Sequence, residues 1–199
     1  MTTSFNKTSL KKEKDQLLLY QQFLPSLDLK RQQFLLERKK AKQQVDATEQ
    51  ELDSLFRNAE EWLPFLADDR IQAAAMVTVT DVRMGQENVL GLTLPQLTEV
   101  KTAVADYSKL STPLWFDSLI AMLVAAAELT LRLKVERQRL LILEEALQTI
   151  TKRVNLFDRV LIPETRKTIR RIQLSLSDME RTGVIRAKLA KNKKLAEEQ

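Results

Sequence analysis

Apolar residues recur at alternating steps of three and four from Leu10 onward: Leu10, Leu17, Tyr20, Leu24, Leu27, Phe34, Ala41, Val45, Leu52, Leu55, Ala59, Trp62 and Leu66. Four polar residues, Glu13, Arg31, Arg38 and Thr48, complete the seventeen positions of this stripe. Such spacing predicts a coiled-coil-like helix over residues 9–66, whose polar interruptions fix register at some cost in stability. At ~1.5 Å per residue it would be about 85 Å long, more than a compact domain holds. Pro25 lies inside it and Pro64 near its end, predicting a kink or local break at the first and fraying at the second.

The period then changes across a connecting region, residues 67–111. Met76–Arg83 and Val89–Leu94 are short runs rich in β-branched and apolar residues, separated by Met84-Gly85-Gln86-Glu87-Asn88 and closed by Pro95. They read as a β-hairpin near 76–94, which needs a helix or a partner to lean on because two strands alone are marginal. Residues 96–110 carry no clear pattern. Thr112 followed by Pro113 marks a helix start, with a capping hydroxyl and a proline suited to the first turn.

A second long helix is predicted over 112–195. Its seam runs Leu133, Leu140, Leu143, Leu147, Ile150, Val154, Phe157 and Leu161, then Ile169, Ile172, Leu176 and Met179. The step from Leu161 to Ile169 is eight residues and contains Pro163, so supercoil unwinding and a bend are expected there. Gly183 weakens the last turns. Two seams joined by a hairpin-bearing bend point to an all-α fold: a long antiparallel two-helix coiled coil with a short β-hairpin in the central connection, forming one elongated domain.

Composition changes the picture chiefly by exclusion. The chain has 199 residues, no His and no Cys. Ser-His-Asp and Cys-His catalysis, thiolate or imidazole zinc sites and disulfides are therefore ruled out, and no metal or cofactor site is expected. Only 3 Gly and 5 Pro leave room for long helices. The N-terminus lacks an apolar signal core, and the longest mainly apolar stretch, Leu114–Ala127, is fourteen residues against the ~20 needed to span a bilayer. The expectation is a cytoplasmic protein without a membrane span.

Charge is segregated. Residues 1–44 carry 10 basic and 4 acidic side chains, residues 45–151 carry 9 and 17, and residues 152–199 carry 13 and 6. A chain folded back on itself would gather two basic ends opposite an acidic middle, a division that suggests different partners at each end.

The segment Thr151–Arg181 resembles the C-terminal signature of the family of D subunits of V-type and archaeal-type ATPases. That signature reads as Arg153-Val154-Asn155, Ile162-Pro163, Thr168-Ile169 with Ile172, and Asp178, Glu180 and Arg181 here. Leu27-Asp28-Leu29-Lys30-Arg31 is similar to a second run near the family's N-terminus. Leu156 stands where a small residue is usual, Asp158 where Glu is usual, and Pro25 where the family typically has no proline. The resemblance implies a non-catalytic central-stalk subunit that is peripheral at the inner face of the membrane. It couples ATP turnover in a ring of A and B subunits to ion translocation. The same resemblance implies a small F subunit and a funnel-shaped C/d-type subunit as further partners, with nucleotide held by the ring. No Gly-rich phosphate loop occurs in this sequence.

Residues expected to face partners are Arg153, Asn155, Arg166, Arg170, Arg171, Arg181, Arg186 and Lys188, with the cations meeting carboxylates of the ring. A coiled-coil adaptor unrelated to ATPases would use the same heptads without the signature spacing. Nucleic-acid binding is disfavoured, because Phe157 is the only aromatic residue in 152–199 and belongs to the seam.

Overall fold

In the computed structural model the described residues are 5–60, 76–107, 112 and 115–197. Helix α1 is Lys7–Glu60, strand β1 is Val77–Val89, strand β2 is Leu92–Val104 and helix α2 is Trp115–Leu156. A π-helical turn, Phe157–Leu161, leads directly into helix α3, Ile162–Glu197. Two compact units divide the chain: residues 1–31 with 149–199, and residues 32–148. Trp62, Pro64, Leu66 and Pro113 lie outside the described residues.

In the first unit α1 opens on a cap that the heptad pattern did not announce. The Asn6 side-chain oxygen accepts the Ser9 amide at 2.6 Å, satisfying a donor of the first turn. Leu10, Leu17, Tyr20, Leu24 and Leu27 are half-buried. The Tyr20 and Phe157 rings meet edge to face at 5.4 Å, and Lys7 reaches Glu180 at 3.9 Å. As the α1 number falls from 20 to 7 its partner's number rises from 157 to 180, so the pairing is antiparallel. No break occurs at Pro25, because α1 runs through it with Leu24 and Leu27 on the packed face.

The eight-residue step on the second seam is resolved by the π turn. The Ile162 amide donates to the Phe157 carbonyl, a span of five residues. A π turn holds one extra residue, so the seam passes from Phe157 and Leu161 to Ile162, Thr165, Ile169 and Ile172 without changing face. Val154, Ile162, Thr165, Ile169 and Ile172 are buried, and Phe157 and Leu161 half-buried. Supercoil unwinding, which the sequence suggested, is therefore replaced by a local change of helix type. Pro163 favours it, since it has no amide to offer the Arg159 carbonyl.

In the second unit the seams of α1 and α2 meet more tightly. Phe34, Ala41 and Val45 are buried, as are Leu133, Leu143 and Leu147, with Leu140 half-buried. Each fully buried aliphatic side chain contributes about 1.5–3 kcal/mol. Arg38 lies 3.9 Å from Glu144, and Arg137 lies 2.7 Å from Glu49, again an antiparallel register. Thr48, a polar seam position, is 3% exposed and donates its hydroxyl to Glu136 at 2.7 Å.

The hairpin is longer than its sequence suggests and turns elsewhere. Val89 pairs with Leu92 and Val77 with Val104. The turn is Leu90-Gly91, both at positive φ (56° and 85°), the requirement of the tight two-residue type I′ turn. The Asn88 side chain accepts the Gly91 amide at 3.0 Å. Met84–Asn88, the expected turn, lies within β1, and Pro95 within β2. In a two-stranded ribbon each strand has an open edge, so a proline without an amide is tolerated. The base is closed by the Ala105 amide donating to the Met76 carbonyl at 2.9 Å. There Phe116, Leu119 and Ile120 form a buried cluster with Met76, Val77, Tyr107 and Trp115. Arg139 of α2 pairs with Glu87 of β1 and ties the distal part of the ribbon to the helix.

Candidate functional site

All eight residues expected to face partners are exposed. Arg153 and Asn155 lie near the end of α2, and the other six lie on α3. A helix advances about 100° per residue, which places Arg166, Arg170, Arg181 and Lys188 within a sector roughly 60° wide. Arg170, Gln173, Leu174 and Ser177 line a shallow groove along that stripe. Arg171 and Arg186 fall outside the sector. Helix geometry thus puts four of these six residues on one flank of the seam.

Pairing separates these cations from five arginines of the second unit. There Arg38, Arg83, Arg132, Arg137 and Arg139 each reach a carboxylate. Among the described residues Arg153, Arg166, Arg170, Arg171, Arg181, Arg186 and Lys188 have no ion-pair partner within 4.0 Å. For Arg186 and Lys188 the reason is local composition: α3 holds no carboxylate between Arg181 and Lys193.

The seam residues Leu140, Leu143, Leu147, Ile150, Val154, Phe157 and Leu161 face inward, buried or half-buried. Met179 does not. It is 57% exposed, next to Glu180, the residue that the long side chain of Lys7 reaches from the first turn of α1. Residues 178–193 are exposed on every face. This overhang also presents Val184, Ile185 and Leu189, three large apolar residues that seam spacing did not single out. Their signal in the sequence is their departure from the three-four pattern combined with the missing acidic residues.

Elsewhere the chemistry is structural. The Tyr107 hydroxyl donates to Asp117 at 2.6 Å. That hydrogen bond, with burial and the carboxylate charge adding to it, raises the phenol above its ordinary value of 10.0. Among the described residues no cluster of acidic side chains has the geometry to hold a metal ion, and no helix is long and apolar enough to cross a membrane.

The family model for the ATP synthase D subunit matches residues 9–192. The chain is similar to the V-type ATP synthase D subunit of Chlamydia pneumoniae, 36% identical over 196 residues, covering 94% of this chain and 90% of that one. The protein of the same name from Chlamydia muridarum is 34% identical over 191 residues, covering 94% and 93%. That of Borreliella burgdorferi is 28% identical over 186 residues, covering 94% and 92%.

Proposed function

The chain belongs to the family of ATP synthase D subunits and is a central-stalk component of a V-type ATPase; from that premise we propose how it works. It is the axle of the machine, without a catalytic site of its own. The α3 overhang and its arginine stripe enter the ring of nucleotide-binding A and B subunits. The hairpin-bearing unit meets the small F subunit and the funnel-shaped subunit over the membrane rotor.

One observation carries this reading. Residues 181–193 form a helix with apolar Val184, Ile185 and Leu189 and unpaired Arg181, Arg186 and Lys188, and no helix of the described chain packs against them. A surface of that kind is suited to a sleeve that supplies apolar contact and carboxylates. Two unequal antiparallel helices present a different face in each direction. Within a ring of three catalytic interfaces, an asymmetric axle stabilises a different nucleotide state at each one. Rotation then shifts which state is favoured by differential contact.

The test is a mass-spectrometric inventory of what stays bound to the native chain after gentle extraction. Nucleotide-binding subunits together with other stalk subunits are the expected companions. Recovery of unrelated proteins without nucleotide-binding subunits would overturn the axle reading.

A further inference from the structure

We propose that residues 17–25 of α1 and 152–163, spanning the end of α2, the π turn and the start of α3, form a compliant joint in the first unit, where the helix pair bends and twists.

The backbone supplies the first argument. Pro25 has no amide, so the Gln21 carbonyl lacks its usual donor four residues on. Pro163 deprives the Arg159 carbonyl in the same way, and that carbonyl belongs to the π turn, where Ile162 donates to Phe157 across five residues. The Thr165 hydroxyl adds a bond to the Leu161 carbonyl at 2.8 Å, a side-chain contact of the type that loosens and bends helices. Ser26 does likewise to the Phe23 carbonyl at 2.8 Å.

Position supplies the second. The Tyr20–Phe157 ring contact fixes the level of the two helices. Counting outward in the antiparallel sense sets Gln21–Pro25 beside residues 152–156, and Phe157–Leu161 beside residues 16–20. Interruptions on the two helices are therefore consecutive, within about three turns. Neither strand of the pair offers an unbroken ladder across this zone.

Packing supplies the third. Of the seam residues in this zone Val154 and Ile162 are buried but Leu17, Tyr20, Leu24, Phe157 and Leu161 only half-buried, whereas Phe34, Ala41, Val45, Leu143, Leu147 and Ile150 are all buried. Fewer buried apolar contacts together with missing backbone bonds are the physical ingredients of low local stability. The extra residue and Pro163 act independently to prevent a plain α-helix here. The use of the joint, to let one part of the axle lag another under torque, rests on the axle reading. Its existence does not.

Hydrogen–deuterium exchange on the isolated full-length chain tests the joint itself. Amides of 157–162 and 21–27 are expected to exchange about ten-fold faster or more than those of 34–48 and 140–150. Deleting Val160 together with Pro163→Ala restores unbroken three-four spacing, and should slow exchange over 157–162 by about ten-fold while helicity by circular dichroism is retained. Equal exchange in joint and reference segments would overturn the proposal, as would unchanged fast exchange in the folded deletion variant. Should the deletion prevent folding, Pro25→Ala and Pro163→Ala singly are expected to slow exchange around their own sites, and no slowing in either overturns it. The inventory of co-purifying subunits judges the axle reading separately, so either claim can fail while the other stands.

Discussion

Thr48 shows how a single polar residue sets the register of the second unit. Its hydroxyl donates to Glu136, and the same carboxylate accepts Arg132 at 3.0 Å. A slip of one heptad would bury the hydroxyl without a partner. Thr48→Val should therefore cost about 1 kcal/mol, the worth of one hydrogen bond, since Arg132 still pairs with the other oxygen of Glu136. Ile150→Asp puts an unpaired carboxylate where a residue is 5% exposed, and should cost about 3 kcal/mol or more. Thermal melts by circular dichroism separate the two. A melt of Ile150→Asp matching wild type would mean that the seam faces another way. Tyr107 makes a prediction of different sign. Its raised ionisation means that the Tyr107–Asp117 contribution is complete below pH 10.0 and fades as pH climbs through the higher folded value. Asp117→Asn should move the phenolate absorbance of Tyr107 to lower pH, and an unmoved titration would remove Asp117 as the cause. At this scale the sequence was most legible. Every described position of the first seam, from Leu10 to Leu55, is buried or half-buried, including Glu13, Arg31, Arg38 and Thr48. Periodicity reports which face is covered. It cannot report which carboxylate a long arginine reaches, so the Arg137–Glu49 and Arg139–Glu87 pairs had no signal.

Among the elements, the hairpin and the π turn show where pattern reading loses information. Gly85 and Asn88 gave Met84–Asn88 the composition of a turn, yet Gly85 sits in β1 opposite Gln96. A Cβ there would come within 2.9 Å of the Thr98 hydroxyl, so this glycine serves close approach between strands rather than reversal of the chain. The real turn places Leu90 at φ 56°, a conformation that leucine does not advertise. Gly91 at φ 85° has open space around its α-carbon. Gly91→Ala consequently isolates the backbone cost and should destabilise the chain by about 1 kcal/mol, read as a lower melting midpoint. An unchanged midpoint would show that the ribbon melts separately from the transition being followed. Heptad counting found the irregularity at Leu161–Ile169 but assigned it to supercoil unwinding. Counting gives only the number of extra residues. Whether they are absorbed over several turns or in one depends on hydrogen bonding, and Pro163 decides that locally by removing a donor.

For the whole molecule the informative quantity is where charge is left uncompensated. Arg38, Arg83, Arg132, Arg137 and Arg139 of the acidic second unit are paired within it, whereas the arginines of α3 are not, so the excess positive charge of residues 152–199 is available to another chain. Exposed, unpaired cations contribute little to folding, and neutralising them should leave the melt within about 0.5 kcal/mol of wild type. Their effect should appear only on assembly. The combined variant Arg166→Gln, Arg170→Gln, Arg181→Gln and Lys188→Gln removes the stripe, and Arg171→Gln with Arg186→Gln removes charges outside it. If the stripe faces carboxylates of the ring, recovery of nucleotide-binding subunits with the first variant should fall several-fold at moderate salt. The residual association should depend less on salt than wild type, because fewer opposite charges remain to be screened. The second variant should lose less for each charge removed, since its two residues point away from the stripe. Equal recovery and equal salt dependence for wild type and the four-residue variant would exclude the stripe as the contact. The apolar overhang of Val184, Ile185 and Leu189 would then be left as the surface through which α3 engages its partner.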